Sequence, residues 1–151
     1  MTSWEDLVAA EPDFAERVRR RFAVRKHATM ATIRRDGSPR ICGLEVDFRG
    51  DGLWLGSMAG AQKAMDLRRD PRLALHCPTE DTPEEDPGSW GGDAKIAGRA
   101  IEMTDEASSD GSHRFRIDID EVVLTRVAET GEHLVIESWH PGRDLERRER
   151  R

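Results

Sequence analysis

The stretch from Leu53 to Cys77, LWLGSMAGAQKAMDLRRDPRLALHC, reads as strand, short helix, strand with little slack between them. The first strand stops at Gly56-Ser57. The helix around Ala61 to Arg69 stops at Asp70-Pro71, because the residue before a proline avoids helical angles. A further strand runs from Arg72 to Cys77. A helix start presents unpaired backbone N–H groups and the positive end of its dipole. Lys63 adds a full charge in its first turns, so the unit predicts a place to hold a phosphate. The chain has only three lysines, Lys26, Lys63 and Lys95, among 24 basic residues.

The rest of the chain predicts a small β protein. Residues 4–24 carry Leu7, Val8, Phe14, Val18 and Phe22 at helical spacing, with Pro12 separating two helices. The period then changes. His27 to Arg34 is strand-like, and Arg35-Asp36-Gly37-Ser38-Pro39 is a turn. From Arg40 to Arg49, Cys42, Leu44, Val46 and Phe48 face one way. Gly43, Glu45, Asp47 and Arg49 face the other. Gly50-Asp51-Gly52 turns the chain into Leu53 to Leu55. Ala94 to Met103, Phe115 to Ile119, Val122 to Val127 and Leu134 to Trp139 are further strands, and Thr104 to Ser112 is a polar connection. Pro78 to Asp93 is an acidic loop, read either as a solvated excursion or as a mobile cover with Trp90 as its apolar contact. Seven or eight short strands with little helix predict a single mainly β domain, an antiparallel barrel with peripheral helices.

Composition narrows the function. With 151 residues and a net charge of −6, the chain does not attract nucleic acid. Arg17 to Arg21 read as a solvated helix face and Arg147 to Arg151 as a loose tail. No apolar run approaches the ~20 residues needed to cross a bilayer, and the acidic start lacks a signal peptide's apolar centre. Cys42 and Cys77 sit in separate strands without CxxC spacing, so a reduced, cytoplasmic setting is expected.

Three segments resemble the FMN-binding split-barrel family, the group around pyridoxamine 5'-phosphate oxidase and the flavin/deazaflavin oxidoreductases. They are ATMATIRRDGSPR (Ala28 to Arg40), LWLGSMAGAQKAMDLRRDPRLAL (Leu53 to Leu75) and VVLTRV…HLVIESWHPGR (Val122 to Arg143). The resemblance implies a split β-barrel of six to eight antiparallel strands: residues 1–25 a helical lead, 26–140 the barrel and 141–151 a tail. It implies a homodimer with FMN, or the deazaflavin coenzyme F-420, at the subunit interface. Arg40 matches the family's phosphate arginine, and Gln62 and Lys63 match its basic pair, with one charge absent. Ile41, Cys42 and Gly43 occupy the positions along the flavin ring, and Gly56 and Ser57 the phosphate-side turn. Trp139 matches a tryptophan that closes the partner subunit's site. The B6 oxidases' terminal Arg-x-His motif is replaced here by Pro141-Gly142-Arg143-Asp144, so oxidation of that vitamin is not implied.

Each position has a plainer alternative. Lys63 can be a solvated helix lysine, Arg40 a cross-strand partner of Glu45 or Asp47, and Ser57 a helix cap. Cys42 reads as a small core or ring-adjacent residue rather than a reactive thiol. The five histidines, His27, His76, His113, His133 and His140, show no metal-ligand spacing. No residue is assigned a catalytic role, because a flavin accepts hydride on its own ring. The expected activity is a flavin- or deazaflavin-dependent oxidoreductase acting on a small organic molecule. The alternative is a split barrel that binds flavin or haem without turnover.

Overall fold

A computed structural model describes residues 1–104 and 110–151. Residues 105–109, inside the expected connection Thr104 to Ser112, lie outside the described residues. The chain opens with α1 (Trp4–Ala10) and α2 (Pro12–Phe22). Ser3 starts α1 through a reciprocal pair of hydrogen bonds with Asp6, and Pro12 starts α2, where its missing N–H costs nothing. The strands are β1 (Ala28–Ile33), β2 (Pro39–Leu44), β3 (Val46–Arg49), β4 (Gly52–Ser57), β5 (Arg72–His76), β6 (Asp93–Glu102), β7 (His113–Val127), β8 (Leu134–Trp139) and β9 (Glu146–Arg150). One more helix, α3 (Gln62–Arg69), connects β4 to β5.

All pairings are antiparallel, in the order β2-β1-β5-β6-β7-β4-β3, with β8 on β7 and β9 on β8. The two ends of that order, β2 and β3, are consecutive in the chain and separated only by Glu45. The sheet therefore curls back towards itself without closing through hydrogen bonds, which is a split barrel. The expected alternation survives the break at Glu45: Leu44 is buried and Cys42, Val46 and Phe48 pack against the core, while Ile41, Gly43, Glu45, Asp47 and Arg49 are exposed. Trp4 and Phe22 meet Phe48 at 4.8 and 5.6 Å between ring centroids, sealing the helices onto the barrel.

Three expectations change. The two strands expected between Phe115 and Val127 are one, β7. Its register slips where Ala97 pairs with Glu121 and Gly98 with Ile119, which leaves Asp120 as the extra residue of a bulge. The bulge lets one long strand bend, pairing with β4 along its first half and β8 along its second. The C-terminal residues are not a loose tail either. Glu146–Arg150 add a ninth strand whose every residue is exposed. It gave no hydrophobic alternation to read because it forms through backbone pairing on the outer edge of β8. The acidic loop keeps residues 79–86 exposed, as a solvated excursion would, but it is fastened to α2. Arg21 on α2 donates from Nε to the Gly92 carbonyl at 2.7 Å and pairs with Glu80 at 2.8 Å, and the Trp90 indole donates to the Glu80 carbonyl at 3.1 Å.

Candidate functional site

The end of β4, the start of α3 and the end of β2 border a cleft of about 800 Å³. That volume is in the usual ~300–1,000 Å³ range of small-molecule sites. Lys63 lines it with Gly43, Gly56 and Ser57, so four of the expected site residues come together. The Lys63 ammonium donates to the Gly43 carbonyl at 3.3 Å, which holds it across the cleft. Ala61, at the helix start, provides no side-chain cap, and the first turn of α3 has no acidic residue. The positive end of the helix is thus left unneutralised by its own side chains. A Cβ built on Gly56 would meet nothing within 4 Å, and one on Gly43 only the Ala28 carbonyl at 3.9 Å, so bare backbone forms part of the wall. Ser57 is not a helix cap: its hydroxyl donates to the Met58 carbonyl at 3.2 Å.

The other expected residues are placed differently. Arg40 pairs with neither Glu45 nor Asp47. Its Nε donates at 2.7 Å to Asp66 on α3, a carboxylate only 2% exposed. Thr32 at 2.7 Å and Arg69 at 2.9 Å complete the grip on Asp66. Burial pushes the Asp66 carboxyl up, but the hydrogen bonds from Arg40, Thr32 and Arg69 outweigh it and hold the carboxyl below its ordinary range. Arg40 and Gln62 border a second cleft, of about 550 Å³, with Arg35, Arg68 and Arg69. Ile41 stands 75% exposed on the outer face of β2. Cys42 is half-buried, and its desolvation pushes the thiol up against the pull of Lys63 and Arg40, so it stays protonated at neutral pH. Trp139, expected at the partner subunit's site, does not line the cleft of its own chain. It pairs in register with Val122 and is 3% exposed within the chain's own core.

A family model for pyridoxamine 5'-phosphate oxidase matches residues 14–134. The chain belongs to the pyridoxamine 5'-phosphate oxidase family. The fold of that family recurs in solved structures at low identity. One is a pyridoxamine 5'-phosphate oxidase-related, FMN-binding protein of Nostoc punctiforme, with TM-score 0.64 and 11% identity, covering 93% of this chain and 96% of that one. Another is a conserved hypothetical protein of Mycobacterium tuberculosis, with TM-score 0.57, 18% identity and coverage of 74% and 81%. A third is the haem storage protein HutZ of Vibrio cholerae, with TM-score 0.58, 12% identity and coverage of 82% and 99%. Among curated proteins, none matches the chain.

Within this pyridoxamine 5'-phosphate oxidase fold, sequence reasoning missed the groups that hold the cleft in shape. His113, buried at the start of β7, accepts at Nε2 from the Gly60 N–H at 3.1 Å. Its Nδ1 therefore carries the hydrogen and donates to Glu102 at 3.0 Å. Glu102 in turn takes both arms of Arg68 at 2.8 and 2.7 Å. This chain of contacts pins the turn between β4 and α3. Asp66 was missed as well, although Asp at that helical position three residues before Arg69 was a readable signal.

Proposed function

We propose that this chain is a flavin-dependent oxidoreductase that binds FMN, or the deazaflavin F-420, in the cleft at Lys63 and acts on a small organic substrate as a homodimer. The observation that carries the reading is Lys63 held at the uncapped, acid-free start of α3 beside bare backbone at Gly43 and Gly56. These features fit an anionic handle joined to a flat ring. Lys63 and the first-turn amides would hold the phosphate, with the Ser57 hydroxyl beside them. Gly43 and Ile41 would offer the β2 backbone to the ring. Arg40, locked on Asp66, would supply a fixed positive charge at the second cleft rather than a mobile arm. The flavin or deazaflavin, when bound, would accept or give hydride on its own ring system. The protein positions it, excludes water and supplies hydrogen bonds. Cys42, kept as a thiol, takes no part as a nucleophile.

Exposed Ile41 and Met58 flank this region and support a subunit contact there. His27 also lines the cleft, and this favours a second reading in which haem is carried without turnover, since an imidazole is a common haem ligand. Titration of the purified protein decides between them. FMN or the deazaflavin should bind and quench, and Lys63→Ala should weaken binding by roughly 1–3 kcal/mol, the scale of a charge-assisted hydrogen bond. A Soret band with haem and no flavin binding would establish the second reading instead. Binding of none of the three would end both.

A further inference from the structure

A side chain from β7 holds the turn that leads from β4 into α3. Met58, Ala59 and Gly60 in that turn are exposed, and Gly60 takes a φ of +70°. The Ala61 N–H closes the turn on the Met58 carbonyl at 3.2 Å, and the Ala61 carbonyl accepts from Ala64 and Met65 as α3 begins. The Gly60 N–H is bound from outside, donating at 3.1 Å to Nε2 of His113. A backbone N–H cannot accept, so this contact exists only while Nε2 keeps its lone pair. The imidazole is enclosed: its side chain is 7% exposed, and its ring stacks on Phe115 at 6.4 Å between centroids. Its Nδ1 donates to Glu102 on β6 at 3.0 Å, and Glu102 holds Arg68 on α3. The hydrogen bond from Arg68 first, and then that from His113, holds the Glu102 carboxyl down to about 2 against burial. Glu102 therefore stays ionised between about pH 8 and about pH 5, where histidines titrate. Around the same turn the cleft also carries Lys63 on α3, Asp110 ahead of β7, and Arg114, which follows His113. Asp110 accepts from the Ser112 N–H at 2.9 Å.

A proton added at Nε2 turns the acceptor into a donor and sets two N–H groups against each other. Nδ1 does not have to let go, since the imidazolium keeps the Glu102 carboxylate as an ion pair. The Gly60 N–H does, and at an exposed position it passes to water at little cost. We propose that His113 is a proton-controlled positioning residue: neutral, it holds the start of α3 in place, and protonated, it releases the turn from Met58 to Ala61. Release loosens Lys63 and the first-turn amides from the wall at Gly43 and Gly56. The charge gained by the ring is offset by Glu102 at 3.0 Å, so it gives an anion in the cleft little in return. Weaker cofactor binding in acid is the consequence. That consequence rests on the flavin reading; the release of the turn does not.

Nitrogen NMR on the full chain, without ligand, tests the release between about pH 8 and about pH 5. Nε2 of His113 should take up a proton, and the scalar coupling across the N–H···N bond from Gly60 should vanish at the same midpoint. A ring that stays neutral throughout, or a Gly60 contact that survives its protonation, would overturn the proposal. FMN titrations across that range read the consequence. The phosphate of FMN itself gains a proton at about pH 6, so the comparison is with His113→Gln. Its side-chain oxygen can accept from Gly60 and its amide can donate to Glu102, with no proton to gain. On acidification the native chain should lose affinity by about threefold more than His113→Gln does, the scale of one neutral hydrogen bond. Equal losses in the two chains, or a pH dependence that disappears in His27→Gln instead, would overturn His113 as the positioning residue. Thermal midpoints at both ends of the range separate local release from unfolding, and if His113→Gln does not fold, the NMR of the native chain still decides. Release of Gly60 with the His113 proton, in a chain that takes no flavin at any pH, would support the switch and defeat only the flavin reading.

Discussion

Asp66 is the residue on which the short helix depends. Its carboxylate is enclosed, and it joins β1, β2 and α3 through Thr32, Arg40 and Arg69. Removing it strands Arg40 without its partner in a half-enclosed setting. We expect Asp66→Ala to cost about 3 kcal/mol, the scale of breaking a buried pair, read from urea unfolding; a loss near zero would show that Arg40 finds water instead. Glu137 makes a parallel clamp between Arg17 on α2 and Arg126 on β7, at 2.7 and 3.0 Å. The hydrogen bonds from Arg17 first, and then from Arg126, hold its carboxyl down to about 2 against the ordinary 4.5. The folded protein therefore gains from this group only while it is ionised. The contribution is complete above about pH 4.5 and disappears as the pH falls towards 2. Arg17 is over a third exposed, so the gain is roughly 1–3 kcal/mol after screening. Unfolding curves between pH 6 and 2 should lose that amount in the native chain and lose less of it in Glu137→Gln.

Among the elements, β7 has the largest consequence. Its bulge brings the Asp118 carbonyl so close to Gly98 that a Cβ there would stand 2.2 Å from the oxygen. The closest atoms belong to the Asp118 backbone, which has no flexible end to yield. Gly98→Ala should therefore destabilise the chain by about 1–3 kcal/mol through overpacking, with a fall in thermal midpoint as the measurement. An unchanged midpoint would mean that the bulge relaxes freely. The N-terminus is tied to the same place, since Thr2 donates to Asp118 at 2.7 Å and its carbonyl accepts from Ile119. Sequence periodicity showed both halves of β7 but not their union. Asp118 and Asp120 look like a turn in one dimension, whereas the fold uses the extra residue to bend the strand. The break at Glu45 is the converse: ten residues that alternate without fault are shared between the two ends of the sheet.

For the whole molecule, the proposed dimer is the feature to test. Light scattering should report about twice the monomer mass of 17.1 kDa. Ile41→Asp, which places a charge on an exposed apolar position of the edge strand β2, should shift the mass towards the monomer and weaken flavin binding with it. A variant that stays dimeric would remove β2 from the contact.

The sequence by itself determined most of the local elements, the family and the place of Lys63 in the first turn of α3. Each of these is written within a few residues: period 3.6 in α1 and α2, period 2 in β2 and β3, a stop at Asp70-Pro71, and a lysine in the first turn of a short helix. Tertiary structure alone decided that Arg40 belongs to Asp66, that Trp139 lies inside the barrel, that the acidic loop is fastened to α2, and that five charged residues form β9. The physical reason is register. Most of those contacts join segments far apart in the chain, and which side chains meet across the sheet is settled only when strands pair, because a shift of one residue would turn a strand's side chains to the opposite face.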